Sequence, residues 1–205
     1  MDKLHEKKRM LEKYLHELDR VAVAFSAGVD STFLLKTAHD VLGENAVAVT
    51  MISPLVPSEE QNEARNYCAD NGIEHITLEY DPFSVNGFAG NPPDRCYLCK
   101  NAIFTAIKKA ATKRGITNIA EGSNTNDIGD YRPGMRAVRK LRIKSPLLEA
   151  GLSKSDIREL SKEMELPTWS KPSFACLASR FVYGDIITPE KLAIVEKAER
   201  MLHEL

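Results

Sequence analysis

Four short apolar runs, each of strand length and each set apart by a helical stretch, constrain this chain most. They are Val21 to Phe25, Ala46 to Met51, Ile73 to Leu78 and Asn118 to Gly122. Their β-branched residues and near-continuous apolar character suit strands buried on both faces. Between them the pattern turns helical. Leu11, Tyr14, Leu15 and Leu18 form a stripe before the first run, and Ser31 to Val41 follows it. Ser58 opens a polar helix that Asn71-Gly72 stops, and a Pro/Gly-rich loop from Asp81 to Pro93 leads to a cysteine pair and a basic helix ending at Arg114-Gly115. Strands alternating with helices predict an α/β fold, a parallel sheet with helices on both faces. Ligands of such sheets sit beyond the carboxyl ends of the strands. The segments after Phe25, Met51 and Gly122 are therefore expected to converge.

Past Leu147 the character changes, so the sequence reads as an α/β unit over residues 1–150 and a further segment over 151–205. Ser153 and Asp156 form a capping-box pair ahead of a helix to Met164. Pro167 to Arg180 is irregular. Thr188-Pro189-Glu190 starts a last helix with an apolar stripe of Val195, Ala198, Leu202 and Leu205. That stripe runs to the final residue, which gives the expectation that the chain is cut short or that the helix docks onto something else.

Composition narrows the class. The 205 residues are 43 % hydrophobic and 28 % charged, as in ordinary globular proteins. Twenty-eight basic and 29 acidic residues leave a net charge of −1. A dedicated nucleic-acid binder would carry a basic excess, so nucleic acid is not an expected partner. The local basic run of Arg136, Arg139, Lys140, Arg142 and Lys144 reads as a solvated helix face or an anion site. No secretory signal opens the chain and no uncharged stretch is long enough to span a bilayer, so a cytoplasmic protein is expected.

The strongest chemical signal is Ser26-Ala27-Gly28-Val29-Asp30-Ser31, between a strand and a helix. Backbone N–H groups at such a turn point at one centre, and the helix dipole adds positive charge there. Ser26 and Ser31 offer hydroxyls to phosphate oxygens, Gly28 permits close approach, and Asp30 orients the loop or holds Mg²⁺. The Gly-Lys-Ser/Thr ending of a Walker A loop is missing. The competing reading is an ordinary turn capped by Ser and Asp.

Four cysteines are present, Cys68, Cys96, Cys99 and Cys176. Cys96 and Cys99 have the spacing of cluster, zinc or redox ligands, with no second pair in the chain to close a zinc site. Three cysteines suffice for a [4Fe-4S] cluster with one iron open. Cys176 lies near Lys171 and Arg180, which would favour its thiolate; otherwise it is a small buried hydrophobe. Cys68 reads as a core filler.

The turn resembles the PP-loop of N-type ATP pyrophosphatases, usually S-G-G-x-D-S. That superfamily includes NAD synthetase, GMP synthetase and tRNA thiolation enzymes and cleaves ATP between its α and β phosphates. Ala27 replaces a glycine of that pattern; if the position needs positive φ, alanine costs about 1 kcal/mol. Three further segments are similar to the LarE family, ATP-dependent sulfur transferases of nickel-pincer nucleotide biosynthesis. They are Gly122 to Asp127 with Gly129-Asp130-Tyr131-Arg132-Pro133-Gly134, Asn91 to Lys100, and Lys171 to Arg180.

The resemblance implies an adenine-nucleotide hydrolase-like fold over 1–150 and a sulfur-donor segment over 151–205. It implies an enzyme that adenylates a carboxylate of a pyridinium dicarboxylate mononucleotide and converts it to a thiocarboxylate. The implied nucleotide site is Ser26, Gly28, Asp30, Ser31, Gly122 and Asp127, with Asp130 as further support. Cys96, Cys99 and Cys176 would hold the cluster, and Cys176, Asp30 and Ser31 would carry the chemistry. The cofactors implied are ATP, Mg²⁺ and a [4Fe-4S] cluster; the partners are a nucleotide substrate, a sulfide or sulfur donor and further copies of the chain. Rival readings are sacrificial transfer of the sulfur of Cys176, a tRNA 2-thiolation enzyme, and a non-catalytic nucleotide or metal module.

Overall fold

The computed structural model describes residues 3–128, 133–173 and 175–203. Asp130, with Gly129, Tyr131 and Arg132 of its motif, lies outside the described residues, as do Phe174 and Leu205. Four strands, β1 (Val21–Ala24), β2 (Ala46–Ile52), β3 (His75–Glu79) and β4 (Asn118–Ala120), form one sheet in the order β3-β2-β1-β4. Every pairing is parallel, with Val21 opposite both Ala46 and Asn118. Lys144 adds a single parallel bridge beyond β4, to Ala120.

The helices are α1 (Lys3–Leu18), α2 (Val29–Leu42), α3 (Ser58–Asp70), α4 (Arg95–Thr112), α5 (Gly134–Lys140), α6 (Pro146–Glu149), α7 (Lys154–Glu163) and α8 (Pro189–His203). Strand alternation sorts the core into two layers. Val21, Val23, Ala46 and Ala48 face one side, where they meet Leu11 and Leu15 of α1, Phe33 and Leu34 of α2, Ala64 of α3 and Ile157 and Leu160 of α7. Ala22, Val47 and Val49 face the other, against Phe104 and Ile107 of α4 and Val138 of α5. Helices thus cover both faces, as the sequence pattern requires. The strand order reverses between β1 and β4, and the crevice beyond their carboxyl ends is where such sheets bind ligands.

Residues after 150 pack against earlier ones. Leu152, Ile157, Leu160 and Leu166 join the α1–α2 layer, while Leu177, Ala178, Ile187 and Leu192 cluster with Leu55 and Phe88. The α7 cap forms as its sequence predicts, with the Ser153 hydroxyl accepting from the Asp156 N–H and the Asp156 carboxylate accepting from the Ser153 N–H. The stripe on α8 seats unevenly: Leu192 is buried and Val195 half-buried, but Leu202 is 70 % exposed. The expected apolar seam therefore does not continue along the helix.

Candidate functional site

The phosphate turn follows β1 and runs into the first turn of α2. Gly28 is the N-cap, extended at φ −83° and ψ 163°, and its carbonyl accepts the first helical bond from the Thr32 N–H. The N–H groups of Val29, Asp30 and Ser31 are the helix's opening donors, available to an anion. The Ser31 hydroxyl donates to the Gly28 carbonyl at 3.1 Å, accepts from the Ser26 N–H, and lies 3.2 Å from the Ser26 hydroxyl. The two serines close the turn on itself.

Ala27 has φ +54°, the left-handed conformation that a glycine would adopt freely. The position does require positive φ, and alanine bears the strain. Its methyl compensates in part, because Ala27 is buried in the layer with Phe25 and Val29.

Asp30 is the chemically poised member of the turn. Its Oδ2 accepts from Lys154 Nζ at 2.6 Å, while its Oδ1 is buried without a hydrogen-bond partner. Burial raises its pKa above the usual carboxylate range, Lys154 opposes that rise, and the nearby Asp127 adds to it. A buried acceptor oxygen without a donor is costly and suits a metal ion or a nucleotide's hydration shell. The residues present therefore fit Mg²⁺ and phosphate.

Gly122 closes this end of the crevice from β4. A Cβ there would stand 3.2 Å from both the Ser31 nitrogen and the Asp30 Cβ, so any side chain at Gly122 would press on the turn and oblige it to shift by a few tenths of an ångström. Asp127 serves first as a cap: its Oδ2 accepts from the Asn124 N–H, and the Asn124 side-chain Oδ1 accepts from the Asn126 N–H. The Asn126 side chain in turn accepts from the Lys154 N–H. That chain of contacts delivers Lys154 to Asp30. Residue spacing carries no direct sign of Lys154, since its partner Asp30 lies on a distant helix.

The second constellation is at the N-terminus of α4. Cys96 and Cys99 sit inside the helix, one turn apart, rather than ahead of it. The Tyr80 hydroxyl, just after β3, lies 3.5 Å from the Cys99 sulfur. Burial pushes the Cys99 thiol up to about 11, with Cys176 and Cys96 adding to the rise and the Tyr80 hydrogen bond and Arg95 opposing it. Cys176 is exposed, yet surrounding protein raises it too, with Arg95 opposing and Cys96 adding. Cys96 and Cys176 both act on the Cys99 thiol, and Cys96 acts on that of Cys176, so the three sulfurs share a neighbourhood. Among the described residues no three His, Cys, Asp or Glu side chains are already gathered at metal-ligating distances.

The cations expected to serve Cys176 are engaged elsewhere. Lys171 pairs with Glu63 and donates to the Ala27 carbonyl at 3.3 Å, and Arg180 pairs with Glu199. The guanidinium that acts on Cys176 is that of Arg95. Lys171 instead ties the cysteine segment to the phosphate turn, held by Arg158, which donates to the Trp169 and Lys171 carbonyls. Lys171 and Ala175 line a cavity of ≈ 180 Å³ with Glu60, Glu63, Glu199 and Arg200, so open space lies beside both constellations. Cys68 is a buried core residue with its thiol pushed up to about 12 by burial, as its sequence context implies.

A parallel sheet with this turn at its switch point defines the class: the chain has the fold of the PP-loop ATP pyrophosphatases. The NH3-dependent NAD synthetase of Campylobacter jejuni matches it with a TM-score of 0.65, covering 100 % of this chain and 88 % of its own at 16 % identity. No family model matches the chain. Over its whole length it is 37 % identical to the pyridinium-3,5-bisthiocarboxylic acid mononucleotide synthase of Lactiplantibacillus plantarum, covering 75 % of that protein. It belongs to that family, the LarE family of ATP-dependent sulfur transferases, and is an enzyme of that class. An uncharacterized Synechocystis protein, slr1717, is 40 % identical over 98 % of this chain. A tRNA-specific 2-thiouridylase from Rhizobium etli is more distant, 29 % identical over 85 % of this chain and 53 % of its own. Among the described residues no helix is long and apolar enough to cross a membrane.

Proposed function

We propose that this enzyme uses ATP to activate a carboxylate of a pyridinium dicarboxylate mononucleotide and replaces one carboxylate oxygen with sulfur. What most supports the reading is the buried Asp30 oxygen without a donor, on a phosphate turn that Lys171 links to the segment carrying Cys176. The opening N–H groups of α2 and the hydroxyls of Ser26 and Ser31 would take the phosphates, and Asp30 would take Mg²⁺. The substrate carboxylate oxygen attacks the α-phosphorus and pyrophosphate leaves. Gly122 keeps the reacting groups close to the turn, and Asp127 holds the segment that presents Lys154. A sulfur nucleophile then forms the C–S bond, and AMP leaves with the electron pair of the broken C–O bond.

Cys96, Cys99 and Cys176 are the donor set that would hold a [4Fe-4S] cluster; three thiols leave one iron open. When bound, such a cluster supplies inorganic sulfur as the transferable atom. A reducing compartment such as the cytoplasm suits four free thiols.

Mass spectrometry after one round of turnover tests the sulfur source. Cluster-borne sulfur leaves Cys176 intact, and Cys96→Ser, Cys99→Ser and Cys176→Ser lose iron and activity together. A product about 34 Da lighter at Cys176, the dehydroalanine left by loss of H₂S, would show instead that the cysteine gives up its own sulfur. Binding of tRNA with a steep salt dependence would favour a tRNA thiolase.

A further inference from the structure

Arg95 is 4 % exposed, and its guanidinium lies among neutral partners. Nη1 donates to the Asn91 side-chain oxygen and to the Ala178 carbonyl, each at 2.6 Å, and Nη2 lies 3.6 Å from the Cys96 sulfur. No carboxylate is among these partners. Burying an arginine without a counter-ion is expensive, and folds normally pair such a charge. The neighbouring cations are balanced, Lys171 by Glu63 and Arg180 by Glu199. Glu60 and Arg200 also face the cavity beside Ala175. Among the described residues, the cation beside the thiols that has no carboxylate partner is therefore Arg95.

Its position is built rather than incidental. Asn91, itself 0 % exposed with φ +48°, donates to the Val182 carbonyl at 2.7 Å, and its own carbonyl accepts from the Gly184 N–H. Arg95 and Asn91 together clamp the chain that follows Cys176 onto the start of α4. The clamp alone would need only hydrogen-bond donors. The charge adds attraction for anions, which in a partly desolvated site is stronger than in water.

We propose that Arg95 is a specificity-determining residue: its unbalanced charge makes the three-cysteine site favour carboxylate-bearing electrophiles over neutral ones of the same shape. This rests on the reading above, in which the electrophile reaching the sulfur carries a second carboxylate. The charge draws that anionic molecule towards Cys176 and leaves neutral molecules of the same shape without that attraction.

Iodoacetate and iodoacetamide test it on the cluster-free protein, because they differ only in carboxylate against amide. In either reaction the sulfur electron pair forms the C–S bond, iodide leaves with the pair of the broken C–I bond, and the thiol proton passes to solvent. Taking the ratio of the two rates at one pH cancels the fraction of reactive sulfur. Peptide mapping reads the ratio at Cys96 and Cys176, with N-acetylcysteinamide as the free reference. The expected wild-type ratio is several-fold above the reference at both cysteines, falling to the reference in Arg95→Met and retained in Arg95→Lys. A wild-type ratio at or below the reference overturns the proposal, even if Arg95→Met does not fold. So does a folded Arg95→Met with an unchanged ratio. The assay contains no ATP or nucleotide, so its failure leaves the carboxylate-activation reading standing. Loss of that reading would appear as absent pyrophosphate release, with this ratio intact.

Discussion

The phosphate turn and the three-cysteine site stand side by side, but the chain makes them in opposite ways. The turn is six consecutive residues whose proposed function lies in the backbone: a strand end, a left-handed residue and a helix start that present the opening N–H groups of α2. The cysteine site is assembled from side chains on α4 and on a segment far along the chain, held by a buried arginine and an asparagine. The first site is closed by its own hydrogen bonds, from Ser31 to Gly28 and Ser26. The second places its thiols in one neighbourhood without arranging them at ligating distances. Substitutions that alter backbone conformation should therefore damage the turn most, and those that alter side-chain chemistry should damage the cysteine site most.

That contrast can be broken or sharpened by mutation. The largest effect is expected at Asp30, where Asp30→Asn should slow AMP formation by about 100-fold or more while the fold persists. Wild-type AMP rates in that variant would remove the turn from catalysis. Next is Gly122→Val, whose side chain would meet Asp30 and Ser31; a loss of about 1–3 kcal/mol in denaturant unfolding is expected, together with weaker ATP binding. No loss would mean that β4 can move away from the turn.

Lys154→Ala should cost about 1–3 kcal/mol at neutral pH, since it leaves a half-buried carboxylate without its ammonium. The sign with pH follows from Asp30, whose pKa burial has already raised. A group raised on folding stabilises fully below its unfolded pKa and loses that contribution as pH rises through the folded one. Removing Lys154 raises Asp30 further, so the deficit in melting temperature should be greatest near pH 7 and shrink on acidification. A deficit independent of pH would assign Lys154 to packing alone. The smallest change is Ala27→Gly: relief of the positive φ and loss of a buried methyl oppose each other, so stability should move by less than about 1 kcal/mol.

The two sites also differ in how far they could be read from sequence. The sheet was legible because apolar runs and helical stripes alternate, and the Ser153 and Asp156 box announced α7. The strain at Ala27 was legible as a condition, since a glycine pattern marked the position. Lys154 and Arg95 were not. Their roles depend on partners brought close by tertiary packing, which residue spacing does not encode. Lys171 and Arg180 misled for the same reason: closeness to Cys176 in sequence did not reveal that Glu63 and Glu199 would take them. The apolar stripe of α8 was a periodicity that packing satisfied only in its first turns.

The central claim is that carboxylate activation belongs to the phosphate turn and sulfur delivery to the cysteines. Pyrophosphate release by the Cys96→Ser/Cys99→Ser/Cys176→Ser variant, measured with ATP, Mg²⁺ and the pyridinium dicarboxylate mononucleotide, tests it most directly. The account predicts that pyrophosphate is still released in a first turnover while no thiocarboxylate forms. Loss of pyrophosphate release in this variant, with its fold intact, would contradict the division between the two sites.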